Sequence, residues 1–329
     1  MLNRRTLFAT PALALPALAM PAWVTPAWAQ ASWPDRPTRW MVAYGAGGAS
    51  DIFARMISRA LATPGTPPVM VENRPSGGGI VATEAVLGGP ADGSNLLHVD
   101  NGMLVYNPAL YARLPFDPDR DLVMAAFLAR FHFFVLVRPE SPFQSLADLI
   151  AAGKRQAVTY ATPAVASPHH MCMELLRRRA DFGATHVPYR GMPAVLADLM
   201  AGRVDCAITD ITNAMPLLTS GRARALGTFG ESRASAQPSV PTMGELGVRN
   251  CIAYGWQGVA LPRAATPVLL EAVNRGVQAA MATPEFSTRM LTLGAEVLPL
   301  TVAQCAELIR AESAIWRPLI REMGIRLED

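Results

Sequence analysis

The sequence predicts an α/β protein built as two lobes, each a mostly parallel sheet flanked by helices. Three observations predict it. Strand-like and helix-like stretches alternate along most of the chain, the series starts afresh near Phe133, and the last helical stretches have no strands of their own. At 329 residues, 51% hydrophobic and 17% charged, the chain is also longer than one domain usually holds.

The first thirty residues read as an export signal rather than structure. Arg4 and Arg5 precede a mostly apolar stretch from Leu7 to about Val24, and Ala27-Trp28-Ala29 is a small-x-small cleavage pattern. Residues 1–29 are therefore expected to be removed, with the cut after Ala29 and a periplasmic mature protein. Pro11, Pro16, Pro21 and Pro26 argue against a spanning helix there. The run from Asn3 to Phe8 also fits a twin-arginine leader, and the choice between the two export routes stays open. Formal net charge is +3; without Arg4 and Arg5 the chain carries 27 basic and 26 acidic residues, which gives no reason to expect nucleic acid as a partner. Cys172, Cys206, Cys251 and Cys305 lie in apolar runs with no CxxC, so burial as small hydrophobes is expected rather than a bridge.

In the mature chain, Thr38–Tyr44 reads as a strand and Ser50–Ala62 as a helix, from the spacing of Ile52, Phe53, Met56, Ile57 and Leu61. Val69–Glu72 and Asn95–Val99 are further strands around a helix at Ile80–Leu87. That βαβαβ order implies a parallel sheet, whose ligands gather at the C-terminal strand ends. The second series runs from a strand at Phe133–Val137, closed by Pro139, through helices Ser145–Ala152, Pro168–Arg179, Pro193–Ala201 and Ala214–Ser220. Between them lie strands Ala157–Ala161, Thr185–Pro188, Asp205–Thr209 and Ala223–Phe229. Tyr254–Leu261 is a final strand before helices near Val268–Met281, Pro284–Leu293 and Val302–Met323. Pro318 is expected to kink or interrupt the last. These helices are expected to return to the first lobe, giving 30–130 as its first part, 131–252 as the second lobe and 253–329 as the return.

Five ordered segments then carry a resemblance. Val42–Asp51 resembles VPFPPGGGTD, and Val71–Gly79 resembles VENRPGAGG. Asn107–Tyr111 with Leu114–Pro118 matches NPALY…LPYDP, Val187–Gly191 matches VPYKG, and Gly221–Leu226 with Val240–Thr242 and Glu245 matches GKLRAL…VPTxxE. From about Trp33 to Arg326 the chain resembles the substrate-binding proteins of tripartite tricarboxylate transporters, the Bug family. The resemblance implies a periplasmic-binding-protein-like (type II) architecture with lobes joined by crossing hinge strands. It also implies a receptor that is not an enzyme, needs no cofactor and acts as a monomer. Its partners would be a small carboxylate and the subunits of a membrane permease, or a sensor.

The candidate site residues lie on loops at helix N-termini, where unpaired amides and the positive end of the dipole favour an anion. In the first lobe they are Tyr44, Ala46, Gly47 and Gly48 on the first βα loop, Ser50 and Asp51 as cap and first-turn acid, and Asn101 after the third strand. In the second lobe they are Thr162, Ala166, Ser167 and His169 on the loop before Pro168, and Asp210 at a strand end. For several a plainer role competes: a cap for Asp51 and Ser167, a core aromatic for Tyr44, a hinge contact for Asp210. Departures from the family pattern (Gly45 and Ala46 for prolines, Ala161, Ala164 and Ala166 for glycines) leave open a mono- or dicarboxylate, an aromatic acid, an amino acid or a neutral solute.

An exported dinucleotide-dependent oxidoreductase is the alternative, with Gly45 and Gly47 on the pyrophosphate and Glu72 on a ribose. Ser50 in place of the third glycine and the late position of Glu72 count against it. No GxSxG, HExxH or P-loop motif occurs, and the histidines form no recognisable triad.

Overall fold

The computed structural model describes residues 32–156, 158–165, 167–292 and 294–327. The expected export signal and Ala166 lie outside the described residues. Strand β1 (Thr38–Val42) leads into helix α1 (Ala49–Leu61), followed by β2 (Val69–Asn73), α2 (Ile80–Leu87) and β3 (Asn95–Asp100). Strands β2 and β3 flank β1, both parallel to it, as the βαβαβ order demands. Two short helical turns, α3 (Asn107–Leu110) and α4 (Pro118–Asp121), then precede β4 (Leu122–Val137).

Sixteen residues long, β4 joins the two halves of the molecule. From Leu122 to His132 it pairs antiparallel with β9 (Tyr254–Pro262), which itself runs antiparallel to β3. From Phe133 onward it pairs antiparallel with β7 (Cys206–Asp210) and β8 (Arg224–Thr228). Only the Phe133–Val137 part was expected as strand. All but Val123 and Arg130 of β4 are buried, so it has no polar face to betray its period. The second lobe sets β5 (Val158–Thr162) between β6 (Ala184–Pro188) and β7, all parallel. Its helices are α5 (Leu146–Arg155), α6 (Pro168–Ala180), α7 (Met192–Met200) and α8 (Ile211–Thr219).

Helices α9 (Pro267–Met281), α10 (Pro284–Thr292) and α11 (Val302–Met323) follow β9. Asn274 on α9 donates to the Ala125 carbonyl of β4 at 2.7 Å, and Arg317 on α11 donates to the Leu104 and Val105 carbonyls, so the tail packs on the first lobe. Pro318 does not interrupt α11, which runs unbroken through it. Capping is explicit in the sequence: Ser145 with Asp148 opens α5 and Thr301 with Gln304 opens α11, each as a reciprocal box. The four cysteines are buried and unpaired. No described helix is long and apolar enough to cross a membrane.

Candidate functional site

Four helices begin around one cavity. It is lined by Tyr44, Gly45 and Gly48–Ser50 from the β1–α1 turn, Asp100 from the end of β3, Phe131 and Phe133 from β4, and Gln257 from β9. The second lobe adds Pro163, Pro168, His169, Gly191, Met192, Asp210 and Asn213. The cavity holds about 40 Å³, where one water needs roughly 10–15 Å³. It is a space for a few waters or a small organic molecule.

Glycine shapes the turns on both sides of the cavity. A Cβ on Gly45 would stand 3.3 Å from the Arg190 carbonyl oxygen, so the first-lobe turn and the second-lobe β6–α7 turn already touch. Gly191, with φ at +121°, takes a backbone shape that a side chain would resist. Gly48 and Gly191 are also the N-caps of α1 and α7, and neither has a side chain to satisfy the first-turn amides. One helix from each lobe thus presents amides to the cavity without a side-chain cap. By contrast α6 is capped by Ser167 and α8 by Asp210.

Three polar clusters line the cavity. The Tyr44 hydroxyl donates to Asp100 at 2.5 Å, and the Met103 N–H donates to the other oxygen at 2.9 Å. Burial pushes the Asp100 carboxyl above its ordinary range, and these hydrogen bonds return only part of that shift. Asp210 accepts from the Asn213 N–H and amide and faces His169 Nε2 at 3.3 Å. Burial raises its pKa, but the bonds from His169 and Asn213 outweigh that and hold it below the ordinary value. Gln257 Nε2 donates to the Ser50 hydroxyl at 3.0 Å, so its Oε1 accepts from His98 Nε2, 2.9 Å away. Burial depresses His98 to about 4, leaving it a neutral ring protonated on Nε2.

Of the candidates read from sequence, the cavity gathers Tyr44, Gly48, Ser50, His169 and Asp210. Ala46 and Gly47 are exposed on the same turn without lining it. Ser50 is not the cap; Gly48 is, and the Ser50 hydroxyl serves Gln257 instead. Asp51 accepts the Gly47 N–H at 3.0 Å and pairs with Arg55 at 2.9 Å, so it ties down the turn from behind. The Asn101 Nδ2 group donates to the Tyr254 carbonyl and the Tyr106 hydroxyl. Thr162 donates to the Ala164 carbonyl and lies 2.7 Å from His186 Nε2. The Ser167 hydroxyl donates to the Ala164 carbonyl and accepts from the His170 N–H. Residues not singled out from sequence are Asp100, Gln257, Asn213, Phe131, Phe133 and Met192. Asp100 carried a usable signal, since it ends β3 one position before Asn101.

A small cavity enclosed between two α/β lobes that share one long strand is the architecture of periplasmic solute-binding proteins. The family model described as "Tripartite tricarboxylate transporter family receptor" matches residues 53–325, and the chain belongs to that family. A relative from Pseudomonas sp. (strain P51), the UPF0065 protein in the tcbD-tcbE intergenic region, is 32% identical over 88% of this chain and 87% of its own. Among solved structures, Rpa4515 of R. palustris with adipate superposes with a TM-score of 0.85 at 27% identity, over 90% of this chain and 100% of that one. MatC from Rhodopseudomonas palustris with bound malate gives 0.80 at 27% identity, over 88% and 100%.

Proposed function

We propose that this chain is an exported receptor that takes a small carboxylate between its lobes, catalyses nothing, and hands the solute to a tripartite-type permease or a sensor. The observation that carries this reading is the pair of glycine-capped helices, α1 from one lobe and α7 from the other, opening on the same cavity. Each helix start offers unpaired N–H groups and roughly half a positive charge, which a carboxylate satisfies without a cationic side chain. The two similar proteins with adipate and with malate support a carboxylate. The close approach of the Gly45 turn to the Arg190 carbonyl across the lobes supports a lobe-closing motion.

The oxidoreductase alternative finds little support. Glu72 is engaged by Arg74 at 2.7 Å and lines none of the interlobe cavity. The test is a thermal-shift screen of small mono- and dicarboxylic acids on residues 30–329. A ligand that binds the native state alone raises the midpoint. At least one acid is expected to do so in a concentration-dependent way, and a flat response to every acid overturns the proposal.

A further inference from the structure

A second cavity lies between the start of β4, the turn after β9 and the middle of α11, and it shares no lining residue with the interlobe one. It holds about 300 Å³, room for a small organic ligand. Its chemistry is the reverse of the interlobe cavity. Arg263, Arg310 and Arg317 line it against a single acid, Asp119, whereas among the described residues no Lys or Arg lines the other. Leu122, Met124 and Ile309 give it an apolar wall.

Two of the three arginines keep donors free. Arg317 is held in place: it grips both Asp119 oxygens, at 2.6 and 2.9 Å, and donates to the Leu104 and Val105 carbonyls. Arg263 gives only Nη2 to the Asp119 carbonyl, and Arg310 gives only Nη2 to Glu307. The Nε and Nη1 of each have no protein acceptor among the described residues. Ser313 lines the same space with a buried hydroxyl that has no hydrogen-bond partner there, an unfavourable state that a ligand oxygen would relieve. The charges agree with this donor set. Three guanidiniums less Asp119 leave the lining at +2, and counting Glu307 beyond it leaves +1. A phosphate monoester carries about −1.5 to −2 near pH 7, whereas a single carboxylate meets only the lower end of that range.

We propose that this cavity is a second ligand site, which takes a phosphate monoester with a short apolar body. Arg263, Arg310 and the Ser313 hydroxyl hold the phosphate, and the apolar body lies against Leu122, Met124 and Ile309. Guanidinium forks match phosphate oxygens in geometry, and the Arg317–Asp119 pair keeps the one acid neutralised. The site works independently of the interlobe cavity, since an occupant of either touches no lining residue of the other.

Methionine methyl signals read the two cavities separately, because Met124 lines this one and Met192 the interlobe one. The test is nuclear magnetic resonance of residues 30–329 with methyl-labelled methionine, Met124→Leu and Met192→Leu assigning the two signals. Butyl phosphate is expected to move the Met124 signal saturably, and at lower concentration than butyrate or inorganic phosphate. Arg263→Gln and Arg310→Gln are each expected to weaken that response at least about tenfold, the loss of one charge-assisted contact. Both side chains are exposed and each guanidinium makes one hydrogen bond, so the variants keep the fold, and an unchanged Met192 signal checks this. A Met124 signal that butyl phosphate leaves in place overturns the inference, as does equal or tighter binding of butyrate or inorganic phosphate. A response that both arginine variants retain overturns it as well. Vesicles of phosphatidylcholine with and without phosphatidic acid identify the source of the ester. Sedimentation that needs both the phosphatidic acid and the arginines assigns a lipid headgroup, and its absence beside a positive butyl phosphate response assigns a soluble ester.

Discussion

Replacing Glu312 with glutamine should stabilise the protein at neutral pH and change how stability depends on pH. Glu312, on α11, accepts the indole N–H of Trp256 at 2.8 Å from the β9 strand. Burial drives its pKa from 4.5 up to about 7, against the pull of the Trp256 N–H and the charge of Arg130. In the unfolded chain the carboxyl ionises near 4.5, so between the two values the folded state holds a proton that the unfolded state has lost. The contribution of Glu312 to stability therefore falls as pH rises from 4.5 to 7 and stays lost above that. At 1.36 kcal/mol per pH unit the ceiling is roughly 3 kcal/mol, and water reaching the partly exposed carboxyl brings it to about 1–3 kcal/mol. Glutamine keeps an oxygen for the indole and carries no charge. Urea unfolding of both proteins at pH 5, 6, 7 and 8 should show the glutamine variant gaining over the parent as pH rises. The difference between the proteins is the quantity to follow, because the buried histidines slope the other way. Burial holds His98 and His170 at about 4 and His186 at about 3, so their contribution is full above 6.5 and is lost as pH falls towards those values. A difference that stays flat from pH 5 to 8 would refute the reasoning.

Three further substitutions test the site and its supports. Gly255→Ala would place a Cβ 2.1 Å from Phe131 Cε2 and 2.5 Å from Phe133 Cζ, two rings packed edge to face. It should cost about 1–3 kcal/mol in urea unfolding, and an unchanged midpoint would show that the rings swing aside freely. Ser167→Ala should lose a cap worth about 1 kcal/mol while leaving ligand affinity nearly unchanged; a large loss of affinity would put the hydroxyl on the ligand instead. Asp51→Ala should weaken binding about tenfold, although Asp51 does not line the cavity, because the Gly47 N–H and Arg55 lose their charged partner. Equal affinities by calorimetry would show that the turn holds its shape unaided.

The sequence was most readable where structure is local. The βαβαβ order, the capped start of α6 and the glycine-rich turn before α1 all follow from residues within a few positions of one another. It was least readable along β4. An unbroken apolar run, buried on both faces, lacks the alternation that marks a strand, and Leu122–His132 was passed over for that reason. Ser50 illustrates the same limit at the site. Its position suggests a cap, but its partner Gln257 is 207 residues away in the chain, and no local rule anticipates it.

Chemistry carried by the backbone could be read from the amino acids alone: which turns would lack side chains and which helices would start beside them; that two such series face each other as lobes of a receptor came from the family resemblance. Only folding decided which side chains share the cavity. It turned Asp51, Asn101, Thr162 and Ser167 to structural partners and brought Asp100, Phe131, Phe133 and Gln257 inward. The reason is physical. A helix start is set by its own few residues, whereas the facing of a side chain is set by strand pairing between segments more than a hundred residues apart.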